Sequence, residues 1–405
     1  MRCRIKGAGN SKMRIAAFTA YIVRLRLRKP FRHATHGRRT SENVVIRCGL
    51  QDGTEGWGES VPRSYVTGET PEGVLEQLAA TDLARHFDRD CRDWTDVIEL
   101  CSSYQPSVLE ADPRGCRGNA HGCAVELSIL DAFGRLFGEP LSAVTRVFEA
   151  GRSVAGSSDS VQYSGAIAMS EPGQEIASAL KTRLYGFAHC KVKVGSSSGE
   201  DRARVRRVRR CLGPRRDIRV DANGVWHPSR ALEEIEPLLE YGISCVEQPV
   251  AHEHAESLRA LRRQLPVPVM LDESLTSIGD AEAAAQKGTC DLFNIRLSKC
   301  GGFLNSLRLA AFARSADIGY QLGCHPGESG LLSAAGRHFA TSVRGIRYLE
   351  GSYDRHLLDK LLTNEDVTFS YAGRAPALPG PGLGVTVNHA VLDDSTLEKK
   401  HFPLR

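Results

Sequence analysis

Residues 188–194 read Ala188-His189-Cys190-Lys191-Val192-Lys193-Val194, and three stretches downstream read Val220-Asp221-Ala222-Asn223, Val246-Glu247-Gln248-Pro249 and Leu271-Asp272-Glu273-Ser274. Each is a short apolar run that ends in polar residues. Asp221, Glu247 and Asp272 are separated by 26 and 25 residues, about the length of one strand plus one helix. The acids therefore recur in phase with a repeating strand–helix unit. In a parallel barrel such a repeat carries all three to the carboxyl-end rim, the face where these folds place their active sites. One acid at a strand end ordinarily caps the helix that follows. Three in phase point to a shared site.

Working outward, the pattern predicts strands near Tyr163–Ala168, Ala188–Val194, Ile218–Ala222, Ser244–Glu247, Val267–Leu271, Leu292–Leu297, Ile318–Leu322 and Ile346–Leu349, with helical segments between them. One of these is Ser229–Tyr241, where Leu232, Ile235, Leu238 and Leu239 share a face. Eight strands alternating with helices predict a barrel over residues 151–353. Upstream, Ile15–Leu27 and Val44–Leu50 alternate as strands, and Glu72–Phe87 and His121–Phe137 carry apolar stripes at helical spacing. Residues 13–150 are thus expected to form a separate α+β domain, with the basic residues 1–12 an extension outside the fold. Residues 354–405, rich in proline and glycine around Ala375–Gly384, are expected to return and pack on that first domain.

Three hard oxygen ligands on one rim suit a divalent cation that tolerates carboxylate and water, Mg²⁺ first and Mn²⁺ second. One strand earlier, period-two alternation points Lys191 and Lys193 to the same face, while Val192 and Val194 face the helices. Two inward ammonium groups are costly without a reason. Mutual repulsion and a nearby cation disfavour the charged form, the condition under which a lysine serves as a base.

These four motifs, in this order and at barrel spacing, closely resemble the enolase superfamily, in particular its muconate lactonizing subgroup, over about Met13 to Leu383. The resemblance implies a (β/α)₇β barrel with an N-terminal α+β capping domain that the C-terminal segment completes. It implies Mg²⁺ on Asp221, Glu247 and Asp272, and removal of the proton α to a carboxylate to give a metal-stabilised enolate. It makes Lys193 the base and Lys191 its support, and it makes the substrate a small carboxylate. Relatives commonly form octamers or dimers, so a homo-oligomer is expected.

The sequence also departs from those relatives. The subgroup places a second acid/base lysine at the end of the sixth strand, in Asn-Ile-Lys-x-x-Lys-x-Gly-Gly; here Asn294-Ile295-Arg296-Leu297-Ser298-Lys299-Cys300-Gly301-Gly302 puts Arg296 in that slot. An arginine stays protonated and cannot accept a proton at neutral pH. This favours a one-base course, a cycloisomerase or a syn-eliminating lyase, over a two-lysine racemase. The alternatives are a racemase or epimerase of amino-acid derivatives or dipeptides that recruits Lys299 or His325 as the second acid/base, and a non-catalytic homologue that kept metal and ligand binding. Glu328 resembles the family's seventh-strand glutamate and is expected, with Asn223, to orient neighbouring groups around the substrate. In this family the capping-domain loops select the substrate, which singles out Phe31–Arg39, with His33, His36 and Arg38, and Ser60–Glu69, with Arg63, Tyr65 and Thr67. At the eighth strand, Leu349-Glu350-Gly351-Ser352-Tyr353-Asp354 lacks the Asp-x-Asp pair with which dipeptide epimerases grip an α-ammonium group.

Composition closes off other classes. The 405 residues are 41% hydrophobic and 25% charged, as in ordinary globular domains, which excludes extended disorder and coiled-coil rods. A net charge of +5 is small, and the arginines at 24, 26 and 28 and from Arg202 to Arg210 are not interleaved with aromatics, so no nucleic-acid partner is expected. Twelve cysteines without a C-x-x-C pair read as free thiols of a reducing cytoplasm. The apolar run Ile15–Val23 is too short to span a bilayer, so no membrane association is expected.

Overall fold

The computed structural model describes residues 12–32, 37–107 and 109–404, and the side chains among them other than those of residues 30–32, 37 and 38. His33 and His36, and the side chains of Phe31 and Arg38, therefore lie outside the described residues.

The N-terminal layer is a four-stranded antiparallel sheet in the order Thr396–Pro403, Ile15–Arg32, Gly37–Leu50, Glu55–Ser60. The last strand of the chain thus sits beside the first, with Ala17 opposite Pro403 and Ile22 opposite Glu398. Helix Asn119–Phe137 lies against the other edge. It comes close because Gly56 and Gly58 have no side chains: a Cβ on Gly58 would stand 2.1 Å from the Ala124 carbonyl oxygen, and one on Gly56 2.0 Å from the Ala132 nitrogen. The same two glycines interrupt the apolar alternation of Glu55–Ser60, and this strand is not among the sequence expectations. The expected helix Glu72–Phe87 is two helices, Pro71–Ala80 and Leu83–Phe87. Thr81 is extended and turns its hydroxyl back to the Gln77 carbonyl at 2.7 Å, and Asp82 accepts from the Arg85 N–H at 3.1 Å to start the second helix. Side chains that bond the backbone locally compete with helix continuation, which is why the stripe breaks there.

The second layer is an eight-stranded parallel sheet whose strands follow one another in chain order: Gly165–Ile167, His189–Lys193, Asp217–Asp221, Val246–Glu247, Val269–Leu271, Leu292–Ile295, Gly319–Leu322 and Ile346–Leu349. We number them one to eight. All eight coincide with expected strands. The curled sheet closes where the Ser164 N–H donates to the Leu349 carbonyl at 2.7 Å, and the Tyr353 hydroxyl donates to the Ser164 carbonyl at 2.5 Å. Seven helices separate the strands, from Pro172–Leu184 to Gly330–Ser342, so the architecture is a (β/α)₇β barrel with an α+β capping domain.

The barrel interior is layered. Cys245, Met270, Leu292 and Tyr348 form a small apolar cluster apart from the main core. Two residues further along their strands, toward the carboxyl ends, come Glu247, Asp272, Asn294 and Glu350, as the inward period of two requires. No helix among the described residues is long and apolar enough to cross a membrane.

Candidate active site

Lys191 and Lys193 both point inward from strand two, as the alternation predicts, and their ammonium groups meet the acids of strands three and four. Lys193 Nζ donates to Asp221 Oδ2 at 2.7 Å and to Asn223 Oδ1 at 2.6 Å. Asn223 follows strand three with φ 49°, a left-handed conformation that asparagine tolerates better than most residues. Its backbone N–H donates to Asp221 Oδ1 at 3.1 Å, and its side-chain amide donates to Glu273 Oε1 at 3.1 Å. Lys191 Nζ lies 2.8 Å from Glu350 Oε2, 3.2 Å from Asp221 Oδ2 and 3.4 Å from Glu247 Oε1. Burial opposes the charge on Lys191, but Glu247, Glu350 and Asp221 outweigh it and hold this ammonium well above the ordinary lysine range. For Lys191 that reverses the direction expected of inward lysines.

Asp221, Glu247 and Asp272 are all fully buried. Burial, and then the Asp221 carboxylate, push Glu247 up to about 8. Burial also opposes charge on Asp221 and Asp272, but Lys193 and Lys191 lower the first and Arg296 and Lys299 lower the second. Gln248 fixes the geometry from beneath. Its Oε1 accepts from the Asp272 and Ser274 N–H groups at 2.8 and 3.2 Å, and its amide donates to the Val250 carbonyl at 2.8 Å and to Ser274 Oγ at 2.7 Å. Gln248 itself has φ 39°, local strain that these four bonds hold in place.

Arg296 ion-pairs with Asp272 and stands 3.8 Å from Glu247 Oε1. Despite burial, Asp272, Glu273 and Glu247 hold it well above the usual arginine range. Lys299 goes elsewhere. After strand six the chain makes a helical turn, with the Cys300 N–H bonding the Arg296 carbonyl at 2.9 Å. The turn brings Lys299 Nζ under the rim, to the Asp272 carbonyl at 2.5 Å, Asp272 Oδ1 at 2.9 Å and the Asn294 carbonyl at 2.8 Å. Those three acceptors take all three N–H donors of an ammonium. Lys299 is fully buried and does not reach the cavity.

That cavity, of about 230 Å³, opens over the rim and is lined by Lys191, Lys193, Asn223, Glu273, Arg296, His325, Glu328 and Glu350, with Tyr65 reaching in from the capping domain. His325 is buried in its wall, where its backbone N–H donates to Glu328 Oε1 at 2.5 Å. Burial pushes the Glu328 carboxyl up to about 8. Arg63 is buried under the loop that carries Tyr65, donating to the Glu42 and Pro62 carbonyls and to Ser41 Oγ. Three participants were not singled out in the sequence: Glu273, Glu350 and Arg219, which is fully buried and ion-pairs with Glu350. The signal for Arg219 was present, two residues before Asp221 and hence on the same inward face.

The donor set fits a hard divalent cation. Three fully buried carboxylates end three adjacent strands, and carboxylate oxygens are the donors such an ion prefers. As they stand, no three acidic, histidine or cysteine side chains among the described residues are drawn together to hold an ion. Lys191, Lys193 and Arg296 lie among the carboxylates instead.

A family model described as enolase C-terminal domain-like matches residues 175–391. The chain belongs to the enolase superfamily. It is an enzyme of that superfamily, and its resemblance to the muconate lactonizing enzymes extends to named relatives. An L-Lys-D/L-Arg epimerase of Methylococcus capsulatus is 30% identical over 92% of this chain and 99% of its own. Muconate cycloisomerase 1 of Rhodococcus opacus is 28% identical over 92% of this chain and 96% of its own. A dipeptide epimerase from Cytophaga hutchinsonii, solved with Mg and the dipeptide D-Ala-L-Val, superposes with a TM-score of 0.81 at 25% identity, covering 96% of this chain and all of that one. The relatives thus span epimerisation and cycloisomerisation.

Proposed function

We propose that this enzyme is a Mg²⁺-dependent isomerase or lyase that removes the proton α to a carboxylate, with Lys193 as the base. The observation that carries the reading is the convergence of two inward lysines with three fully buried carboxylates at one rim. Asp221, Glu247 and Asp272 would hold the cation, with Mn²⁺ a possible substitute for Mg²⁺. A divalent ion bound there supplies Lewis-acid stabilisation of negative charge on the substrate carboxylate. Lys191, held as an ammonium by its acidic neighbours, binds that carboxylate as a fixed cation. Lys193 Nζ accepts the α proton while Asn223 Oδ1 keeps the amine in place. Arg296 adds a permanent positive charge and cannot return a proton, so the course needs only one base, as in cycloisomerisation or syn elimination. The test is α-proton exchange in ²H₂O, followed by NMR, over a panel of small carboxylic acids with Mg²⁺ present. No exchange with any member would overturn the assignment.

A second reading is favoured by His325, whose ring is buried in the wall of the same cavity. With His325 as the other acid/base the enzyme is a racemase or epimerase of amino-acid derivatives. Lys299, the other candidate for that role, is fully engaged below the rim. Recovered substrate separates the readings: scrambled α configuration supports His325, and a lactone or alkene product supports the one-base course.

A further inference from the structure

His325 reaches the cavity from residues 323–329, the loop that leaves strand seven and opens the barrel helix Gly330–Ser342. The barrel holds this loop at its start, where the Gly323 N–H donates to the Ile295 carbonyl at 2.7 Å. Next the loop closes on itself, with the Glu328 N–H on the His325 carbonyl at 3.2 Å. Among the described residues, the hydrogen bonds that residues 326–329 make beyond their own loop and helix all go to the capping domain. The Gly327 carbonyl accepts from Asn43 Nδ2 at 2.8 Å, and the Pro326 carbonyl lies 3.5 Å from Arg63 Nη2. Ser329 donates its N–H to Glu59 Oε1 at 3.0 Å and its hydroxyl to Glu59 Oε2 at 2.7 Å. Glu59 Oε2 also accepts the Leu332 N–H at 3.0 Å, in the first turn of the helix.

On the capping side these contacts form one network. Ser41 Oγ donates to Asn43 Oδ1 at 2.7 Å, and Asn43 Nδ2 donates to Glu59 Oε1 at 2.6 Å, so the Asn43 amide uses one N–H on Glu59 and the other on Gly327. Ser41, Asn43, Glu59 and Ser329 are fully buried, where a lost partner is costly. The approach is also close: Gly327 has φ 95°, and a Cβ on it would stand 2.3 Å from Ser41 Oγ. Ser41 Oγ accepts from Arg63 Nη2 at 2.7 Å as well, so the loop that carries Tyr65 is tied to the same point. Glu59 thus joins, with four donors on its two oxygens, a capping strand to a barrel loop 270 residues away in the chain. Resting on the reading of this cavity as the active site, we infer that Glu59 is a positioning residue: from the capping domain it holds the loop after strand seven and so sets where His325 stands against the substrate. A displacement of about 1 Å at such a group costs up to about 100-fold in rate.

The test is a double-mutant cycle on the full chain with Mg²⁺ present. For an acid that the wild type exchanges, kcat/KM of α-proton exchange is compared among wild type, Glu59→Gln, His325→Gln and the double variant, each with native circular dichroism. Glutamine keeps one acceptor oxygen but turns an amide toward the remaining donors. Glu59→Gln is expected to lower kcat/KM about tenfold by itself, and less than about twofold when residue 325 is already glutamine. Equal losses in the two backgrounds, or a loss in neither, overturn the inference, because Glu59 then acts on the fold at large or not at all. Ser329→Ala, which removes a single hydroxyl from the same contact, replaces Glu59→Gln in the cycle if that variant does not fold. A wild type that exchanges no acid sinks the assignment of Lys193 as base and leaves the decision to NMR. The Cε1–H resonance of His325, identified by its loss in His325→Gln, then shifts in the folded variant if Glu59 holds the loop, and a resonance that stays at its wild-type position overturns the inference.

Discussion

Replacing Glu126 by glutamine should make the stability of this enzyme less sensitive to pH. Glu126 sits on the capping-domain helix Asn119–Phe137, but its Oε1 accepts the Phe303 and Leu304 N–H groups at 2.5 and 3.2 Å, so it caps the barrel helix Phe303–Ser315 across the seam between the layers. Burial raises its carboxyl from 4.5 to about 7. An acid that ionises later in the native state than in the unfolded chain contributes its stabilisation in full below the unfolded value. It loses that contribution as pH rises, because the unfolded chain gives up the proton first. Each pH unit between the two values is worth about 1.4 kcal/mol, so the whole effect is about 3 kcal/mol, gone above pH 7. Glutamine keeps an oxygen for the two N–H groups and has no proton to lose. Urea unfolding of both proteins at pH 5 and pH 8 should therefore show Glu126→Gln gaining about 2 to 3 kcal/mol on the wild type between the two conditions. A difference between the proteins that stays constant across that range would refute the reasoning, because it would mean that the carboxyl ionises alike in the native and unfolded states.

Three further outcomes are expected. Lys193→Met should lower α-proton exchange by about 10²- to 10⁴-fold with the fold intact by circular dichroism, and exchange at the wild-type rate would remove Lys193 from the base role. Chelation with EDTA should abolish exchange, Mg²⁺ should restore it, and full activity after exhaustive chelation would exclude the cation. Arg296→Lys supplies a group that can carry and release a proton, so chiral chromatography of recovered substrate should show racemisation where the wild type follows a one-base course. If configuration is retained, residue 296 does not face the α carbon.

The barrel was legible because its signals are local. Short apolar strands with polar ends, spaced by one helix, can be read without knowing what pairs with what, and all eight appear where the spacing puts them. The capping domain was less so, for reasons that lie in particular residues. Gly56 and Gly58 erase the apolar alternation of a strand because helix Asn119–Phe137 needs the space, a requirement visible only once the two elements are packed. Thr81 and Asp82 break a helix that the apolar stripe alone would continue, because their side chains satisfy the backbone groups that the break exposes. That signal was in the sequence, as residue types that favour caps over helix interiors.

The site divides along the same line. Spacing and period two brought out the three acids and the two lysines, but the partners that differentiate the lysines come from far along the chain. Glu350 and Arg219 are 131 residues apart, and Glu350 and Lys191 are 159 apart. With Glu350 beside it, Lys191 shares three carboxylates and stays charged, whereas Lys193 keeps Asp221 and a neutral amide. Two identical residues on one face of one strand are thereby set apart by their neighbours, and the role of base proposed for Lys193 rests on its place in the cavity wall. The difference between the surroundings of the two lysines then rests on the buried carboxylate of Glu350, and a variant that releases Glu350 from Arg219 should disturb its hold on Lys191.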